Sequence, residues 1–266
     1  MNDGSVDNIS KEVEELSTIS NNNNWSSVRT INENYELIET KYSFGTRKCY
    51  KALKQKTYED LQASRGIDVD SPEWELVVNN VKNEIVNIKE PDLVRINELT
   101  EIQNRYSISF KNRMAELGFR VPKLLKHYKE DNYDIKGYDV VDLNILIGKH
   151  LGYNVKKYDF NSDCIESLDV DDCGLIVCYH MLEHLTDPLR AIKKIYESMG
   201  NDCYLHVEVP IEQGIPRVRY GHMFAFEVHD LYHMLKMSGF EVLNTSNKTH
   251  TNPPGPHIER YLAVKK

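Results

Sequence analysis

The chain has 266 residues, of which 40% are hydrophobic and 28% are charged, and its formal net charge is −8 at pH 7. This size and apolar content suffice for one large or two modest domains with a hydrophobic core. The acidic balance argues against a nucleic-acid partner, because affinity for phosphate backbones depends on clustered Lys and Arg. No apolar run approaches the roughly 18 residues of a membrane-spanning helix, and residues 1–16 do not resemble a signal peptide. We therefore expect a cytoplasmic protein without a membrane partner.

The N-terminal part is predicted to be polar first and helical afterwards. Residues 1–25 are rich in asparagine, which predicts a frayed or solvated terminus. Residues 26–111 are predicted to form a helical substrate-binding or lid region. Apolar residues recur there at helical intervals, for example at Leu76, Val81 and Ile85, and prolines divide the region into several helices.

Part of this region is basic, in a chain that is otherwise acidic. The segment from Lys41 to Tyr58 has no acidic residue. It has six basic residues, which are Lys41, Arg47, Lys48, Lys51, Lys54 and Lys56. The segment is either a solvated helix face that balances acids elsewhere, or a seat for an anionic group of a substrate. The sequence leaves both interpretations open.

From residue 112 onwards, short apolar strands alternate with helical segments. Seven strands are predicted, at residues 113–117, 133–138, 153–158, 175–179, 203–209, 240–245 and 258–264. Helices are predicted at residues 121–128, 140–151, 189–199 and 228–237. The alternation is typical of a parallel sheet flanked by helices, and the last two strands, joined by a loop, require one antiparallel strand. Residues 112–266 are therefore predicted to form an α/β domain with a seven-stranded, mostly parallel, doubly wound sheet.

Gly118 and Asp139 follow the first and second of these strands and are 21 residues apart (139 − 118). Doubly wound folds use such a spacing to hold a ribose. The glycine lets the backbone approach the ligand, and the acid accepts hydrogen bonds from the ribose hydroxyls. Asp159 closes the third strand, where it could accept from an adenine amino group. Aspartate at a strand end is also a common turn residue, so a structural role fits these positions as well.

A second polar cluster follows the fourth strand, in the segment Cys178–Pro188. His180, Glu183 and His184 are spaced so that one helical turn would bring the three side chains to one point. That point could hold a metal ion or a reacting hydroxyl. The letters also match the HxxEH motif of inverted zinc proteases. That motif needs a long helix, so the preceding strand and the following Thr-Asp-Pro turn argue against a protease.

Together these features resemble the class I S-adenosylmethionine-dependent methyltransferases over residues 112–266. The matching segments are Glu116-Leu117-Gly118, Gly137-Tyr138-Asp139, Asp159-Phe160, LEHLTDP after the fourth strand, VEVP at the end of the fifth, and Gly239-Phe240 before the sixth. The resemblance implies that S-adenosylmethionine is bound by Glu116, Gly118, Arg120, Asp139, Asp159, Phe160 and Tyr179. It also implies an enzyme that transfers a methyl group.

The glycine-rich loop of that family, ExGxGxG, is changed in this chain. The sequence from Glu116 to Pro122 is ELGFRVP, so only the first glycine is present. Arg120 could pair with the methionine carboxylate of the cofactor. The missing glycines leave open a different class of function, that of a non-catalytic methyltransferase-like binding protein.

Within the family, small-RNA 3′-terminal 2′-O-methyltransferases carry a Glu-x-x-Glu-His segment and a later His, and these side chains hold a divalent metal that binds substrate hydroxyls. This chain is similar at Glu183, His184 and His222, with His180 in place of the first glutamate. The resemblance implies a metal site of all four residues, in which Glu183, His184 and His222 are catalytic. Three imidazoles and a carboxylate favour zinc, iron, manganese or cobalt over magnesium. The segment resembles that of ubiquinone-biosynthesis O-methyltransferases too. A metal-free catalytic histidine and a structural role are the alternatives, because many methyltransferases of small molecules carry the Glu-His pair with no metal.

The acceptor pocket of such folds is built by the loop after the fifth strand, here residues 212–226. Arg217, Arg219 and Tyr220 lie in this loop and are predicted to bind substrate. Two arginines, with the basic segment as a lid, indicate an anionic small molecule such as a phosphorylated or nucleotide-linked sugar. The segment resembles that of bacterial and viral methyltransferases of sugars and polysaccharide precursors. We therefore predict an O-methyltransferase for a carbohydrate-type acceptor, with RNA 2′-O-methylation as the alternative within enzymes.

Overall fold

The computed structural model describes residues 16–21, 24–32, 35–52, 72–86, 90–162, 168–212, 221–249 and 257–266. Two β-sheets are formed by these residues, one of four strands and one of seven. None of the helices in this part of the chain is both long and apolar enough to cross a membrane.

The smaller sheet is an antiparallel meander in the order β1-β2-β3-β4. Its strands are β1 (Leu16–Asn21), β2 (Asn24–Asn32), β3 (Tyr35–Tyr42) and β4 (Gly45–Ala52). The prediction of helix is therefore wrong for residues 26–32 and 35–52, and the segment before them, which was predicted to be frayed, includes the strand β1. Aromatic and β-branched residues are frequent in these strands, and a tight turn joins β3 to β4, where Tyr42 pairs with Gly45 across a two-residue connection.

Two helices follow, α1 (Pro72–Val86) and α2 (Glu90–Tyr106), and here the helical prediction is confirmed. Pro72 opens α1, where its missing amide proton has little cost. On α2, Leu99 and Ile102 are buried in the same cluster as Met114 and Val177 of the larger sheet. α2 therefore packs on the seven-stranded sheet, although it precedes residue 112.

The larger sheet has the order β10-β11-β9-β8-β5-β6-β7. Its strands are β5 (Arg113–Leu117), β6 (Asp134–Asp139), β7 (Asn154–Lys157), β8 (Leu175–Tyr179), β9 (Tyr204–Pro210), β10 (Glu241–Thr249) and β11 (His257–Val264). The helices around it include α3 (Lys123–Glu130), α4 (Asp142–His150), α5 (Pro188–Ser198) and α6 (Asp230–Met237). Strands β5 to β9 are parallel, and β11 is antiparallel to β9 and β10. The predicted α/β sheet of seven mostly parallel strands is confirmed.

The strand order reverses at β5, because β6 lies on one side of it and β8 on the other. In open α/β sheets, ligands bind outside the carboxyl ends of the strands at such a reversal. The four apolar residues of β8, Leu175 to Cys178, are at most 1% exposed, so this strand is held in the core on both faces. The segments that begin at Gly118 and His180 therefore leave the sheet beside the same crevice.

Candidate active site

The polar segment after β8 is a tight turn between a buried strand and a helix. His180 has a left-handed backbone, with φ of +51°, and its amide donates to the Glu208 carbonyl at 3.0 Å. Residues Leu182–His184 form a single 3₁₀ turn. α5 begins behind Asp187, which caps the helix by accepting from the Arg190 amide at 3.0 Å. The turn directs the side chain of Glu183 inwards, where it is 1% exposed, and leaves His184 43% exposed.

Gly118 lies at the carboxyl end of β5 with φ of +72°, a conformation that glycine adopts readily. Its amide donates to the Tyr138 carbonyl at 2.7 Å, which ties the turn to β6. A Cβ atom at Gly118 would lie 2.9 Å from Cβ and Cγ of Met181. The glycine therefore allows the turn after β5 to lie against the segment after β8.

Asp139 ends β6 and organises the same turn. Its Oδ2 accepts from the Arg120 amide and its Oδ1 accepts from the Val141 amide, both at 2.9 Å. Arg120 has φ of +44° although it is not glycine, and such strained residues concentrate at ligand sites. Each carboxylate oxygen has a second lone pair. Asp139 can therefore hold the turn and still accept from ribose hydroxyls.

Glu116 is buried on β5, and its Oε2 has no hydrogen-bond partner among the described residues. Burial raises the pKa of Glu116 well above its ordinary value, and the nearby Asp92 carboxylate adds to the effect. A buried carboxyl oxygen without a partner is unfavourable unless a donor or a cation binds to it. The ammonium and sulfonium groups of S-adenosylmethionine are such cations, so the surroundings of Glu116 fit this cofactor.

Two further predicted cofactor residues follow β7. The Oδ1 atom of Asp159 accepts from the Asn161 amide at 2.8 Å, which closes a turn. Phe160 is buried against Tyr158, with ring centroids 4.8 Å apart. Both residues have a structural role here, and Asp159 keeps acceptor capacity for an adenine amino group.

Tyr179, the last predicted cofactor residue, ends β8, and its hydroxyl group is in hydrogen-bond contact with another side chain. The hydroxyl lies 2.6 Å from His206 Nδ1, and the Arg95 guanidinium lies 4.6 Å from the ring centroid. The tyrosine side chain is therefore part of the polar packing under α2. Its backbone, rather than its hydroxyl, is what it offers to a ligand in the crevice.

Three of the four predicted metal ligands come together. The candidate ligand atoms of Glu183, His184 and His222 all lie within 4.8 Å of one another. The two imidazole centroids are 5.0 Å apart and the rings are nearly perpendicular, at 86°. Glu183 and His184 come from the turn after β8, whereas His222 follows β9. The Glu183 carbonyl joins the two segments by accepting from the amides of Met223 at 2.7 Å and Phe224 at 3.0 Å.

Both histidines of this cluster are oriented through their Nδ1 atoms. His184 Nδ1 lies 2.9 Å from the Gly221 carbonyl, which can only accept a hydrogen bond. His222 Nδ1 lies 2.7 Å from Oε1 of Glu212, a buried carboxylate. With the proton on Nδ1, each Nε2 keeps its lone pair. Histidines that bind metals are oriented in this way by a carbonyl or a carboxylate.

The carboxylate of Glu183 is buried, and its Oε2 has no hydrogen bond to another described residue. Burial opposes its ionisation, but the adjacent His180 outweighs this effect and lowers the pKa of Glu183. Its Oε1 lies 3.3 Å from His180 Nδ1 and 3.9 Å from His184 Nε2. A buried carboxylate whose Oε2 has no partner among the described residues, beside the imidazoles of His184 and His222, fits a divalent cation.

His180 is the predicted ligand that lies outside this cluster. Its Nε2 lies 2.7 Å from Glu208 Oε1, and its Nδ1 faces Glu183. Burial lowers its pKa, but the two carboxylates outweigh burial and raise the pKa of His180 to about 9. A protonated imidazole has no lone pair for a metal. The structure therefore places His180 in contact with Glu183 rather than in the cluster of Glu183, His184 and His222.

Glu208 and Glu212 orient His180 and His222, and neither glutamate was predicted from the sequence. Glu208 stands in the apolar strand β9, between Val207 and Val209. Glutamate is almost never fully buried unless it is paired. A glutamate inside a core strand was therefore the available signal for a buried partner.

The predicted substrate residues Arg217, Arg219 and Tyr220 lie outside the described residues, as do Lys54 and Lys56 of the basic segment. Arg47 of that segment is described, and its Nε and Nη2 each lie 2.5 Å from the Asp230 carboxylate. This arginine therefore joins the N-terminal sheet to α6. It is engaged by protein, which weakens the interpretation of the segment as a seat for an anion.

The profile of the methyltransferase-domain family matches residues 95–245, more than half of the chain. Among solved structures, an S-adenosylmethionine-dependent methyltransferase from Mesorhizobium loti is 14% identical, with 57% of this chain and 90% of that chain covered and a TM-score of 0.50. The [4+2]-cyclase SpnF is 16% identical, with 63% of this chain and 80% of that chain covered and a TM-score of 0.50. At these identities the similarities show the fold alone. The chain has no significant match among curated protein sequences.

The region matched by the profile runs from α2 to β10 and so includes the crevice at the strand reversal. Glu116, Gly118 and Asp139 lie at or near the carboxyl ends of β5 and β6, at that crevice. The chain therefore belongs to the methyltransferase-domain family.

Proposed function

We propose that this enzyme methylates a hydroxyl of a small, anionic, carbohydrate-type acceptor, and that a divalent metal bound by Glu183, His184 and His222 assists the transfer. The observation that carries the proposal is the grouping of these three side chains, within 4.8 Å of one another, beside the cofactor crevice. A metal in such a position has an evident use, which is the activation of an acceptor oxygen.

Two imidazoles and one carboxylate are a donor set that leaves positions open for a substrate and suits zinc, iron, manganese or cobalt. When bound, the metal supplies Lewis acidity, which lowers the pKa of a coordinated hydroxyl. The chain's own part is to fix the ligands. The Gly221 carbonyl and the Glu212 carboxylate hold the imidazoles through their Nδ1 atoms, and burial keeps water away from Glu183.

The cofactor, when bound, supplies a methyl group on an electrophilic sulfonium. The residues that would hold it are Glu116, Gly118, Arg120, Asp139, Asp159, Phe160 and the backbone of Tyr179. Arg120 has an exposed side chain that can pair with the methionine carboxylate. Gly118 lies against Met181, which is next to the proposed metal cluster of Glu183, His184 and His222. Cofactor and acceptor would therefore meet in one crevice. Such positioning contributes much of the rate of a two-substrate reaction.

The position of the segment after β9 favours an anionic acceptor. Residues 213–220, which include the predicted substrate residues, run from Glu212 to Gly221, and these two residues contact His222 and His184. Both ends of the loop therefore lie at the metal cluster. Its arginines are suited to phosphate or carboxylate groups. The acidic chain favours a small anion over a long nucleic acid.

The loop after β5 favours a second candidate function, that of a methyltransferase-like protein that binds its ligand and transfers no methyl group. Arg120 and Pro122 stand where the family motif has its second and third glycine, and Phe119, directly after Gly118, is buried. The cyclase SpnF has a similar fold, so the fold does not determine the reaction.

Methyl transfer from radiolabelled S-adenosylmethionine to a panel of acceptors tests these proposals. The panel contains nucleotide-linked and phosphorylated sugars, the corresponding neutral sugars and a single-stranded RNA. We expect transfer to the anionic sugars, its loss with a chelator and its recovery with Mn²⁺ or Zn²⁺. His222→Ala should reduce transfer by about 100-fold or more, because Lewis-acid stabilisation contributes several kcal/mol.

The matched control is His150→Ala, which removes an exposed histidine at the end of α4. It should transfer like the unmodified protein. Transfer that is unaffected by both the chelator and His222→Ala would overturn the metal. Transfer to RNA but to none of the sugars would overturn the acceptor class, and cofactor binding without transfer to any acceptor would favour the second candidate.

A further inference from the structure

A network of buried charges lies between α2, β9 and β11, next to the metal cluster. Glu208 is at its centre and is fully buried. Its carboxylate lies 2.5 Å from Arg95 Nη2, 2.6 Å from Arg260 Nε and 2.7 Å from His180 Nε2. Arg260 also binds Glu98. Two guanidinium groups and an imidazole therefore surround one glutamate in the protein interior.

The network joins elements that are distant in sequence. Arg260 pairs with Glu208 across the β9–β11 ladder, and Arg95 and Glu98 come from α2. Removing charged groups from water costs several kcal/mol for each ion, and well-packed apolar residues are often as stable as a buried ion network. Stability alone therefore gives little reason for this network. Its position beside the turn after β8 suggests a use there.

Glu208 holds His180 twice. Its carbonyl accepts from the His180 amide at 3.0 Å, and its carboxylate contacts His180 Nε2. The other ring nitrogen, Nδ1, lies 3.3 Å from Oε1 of Glu183. The imidazole of His180 thus spans two carboxylates, one held by the arginines and the other a member of the metal cluster.

We infer that Glu208, held by Arg95 and Arg260, is a positioning residue that acts through His180 to orient the Glu183 carboxylate for metal binding. The inference rests on the metal site proposed above and extends it to α2. A ligating carboxylate needs an outer partner to fix its orientation, and the loss of such a partner typically reduces metal affinity by about 10–100-fold. His180 is that partner on Oε1 of Glu183, and Glu208 sets where His180 lies.

Metal affinity separates this inference from a purely structural role. Glu208→Gln keeps the size of the side chain and removes its charge. Binding of Zn²⁺, and of Co²⁺ followed by its visible absorption, is measured by competition with a chelator, together with S-adenosylmethionine binding by calorimetry and the thermal midpoint. We expect metal affinity to fall by about 10–100-fold, with a changed Co²⁺ spectrum and unchanged cofactor affinity.

Glu98→Gln is the matched control, because it removes a carboxylate of the same network that contacts Arg260. It should change the thermal midpoint without changing metal affinity. The double variant Glu208→Gln/His180→Gln should lose no more metal affinity than either single variant, since both changes break one chain of contacts. Additive losses would contradict the proposed order of action.

The possible failures are distinguishable. If the unmodified protein binds metal and Glu208→Gln binds it equally well, the inference is wrong and the metal site stands. If the unmodified protein binds neither metal, the proposed metal site is wrong and the inference falls with it. If Glu208→Gln does not fold, His180→Gln takes its place, since that side chain is 30% exposed. Unchanged metal affinity in His180→Gln would overturn the inference equally.

Discussion

Gly118→Ala tests the contact between the turn after β5, which is the proposed cofactor site, and the turn after β8, which carries two residues of the proposed metal cluster. The backbone φ of +72° is left-handed, which costs a residue with a Cβ atom about 1–2 kcal/mol. The new Cβ would also lie 2.9 Å from Cβ and Cγ of Met181, closer than such atoms can approach. Met181 follows His180 directly, so the contact must push the turn after β5 or the turn after β8 out of place.

The two costs have different readouts. A loss of about 1–2 kcal/mol lowers the thermal midpoint by about 2–8 °C in a chain of this size. The displaced turn should weaken S-adenosylmethionine binding at least tenfold, which corresponds to about 1.4 kcal/mol. Circular dichroism during heating measures the first effect, and titration calorimetry with the cofactor measures the second.

Gly152→Ala is the matched control for this prediction. Gly152 also has a left-handed backbone, with φ of +77°, but a Cβ atom added there would meet no other atom within 4 Å. This variant should therefore lose stability through the backbone alone and keep its cofactor affinity. The reasoning would be refuted if Gly118→Ala bound the cofactor as the unmodified protein does, or if Gly152→Ala lost as much affinity.

Two further predictions concern stability. Arg47→Ala should lower the free energy of unfolding in urea by about 3 kcal/mol, because it leaves the buried carboxylate of Asp230 without its arginine; a loss below about 0.5 kcal/mol, the size of an exposed pair, would contradict this. Burial, aided by the positive charge of Arg260, lowers the pKa of His206 from 6.5 to about 3. Since the unfolded chain then binds more protons than the folded one, this group makes stability fall as pH decreases from about 6.5 towards 3. His206→Gln should flatten the pH dependence of the urea midpoint between pH 6.5 and 5, and an unchanged slope would contradict the burial argument.

Much of the seven-stranded sheet is predictable because its signals are local. An apolar run such as Leu175 to Cys178 can only be a buried strand or helix, and its length decides for a strand. The parallel order then places all carboxyl ends at one edge, so Gly118, Asp139 and Glu183 are expected near one another without knowledge of any contact.

The N-terminal sheet is not predicted, because apolar and polar residues do not alternate clearly along its strands. The helical spacing of apolar residues is clear around Leu76 and Val81, but it does not extend to the strands before them. The partner of His180 is a different problem. Tyr179 pairs with Glu208 across the β8–β9 ladder, 29 residues along the chain (208 − 179). That pairing brings Glu208 to His180 and exists only once the strand order is known. The spacing in the sequence therefore predicts His180 as a fourth metal ligand. The register of β8 against β9 instead places the His180 side chain against Glu208.

Anomalous diffraction from crystals soaked with Zn²⁺ and S-adenosylmethionine tests the central claim most directly. We predict one strong peak at the zinc edge, about 2.0–2.2 Å from Nε2 of His184, Nε2 of His222 and a carboxylate oxygen of Glu183, and no such peak in crystals of His222→Ala. The absence of a peak at these three side chains in the unmodified protein, or a peak coordinated by His180 in place of one of them, would contradict the account.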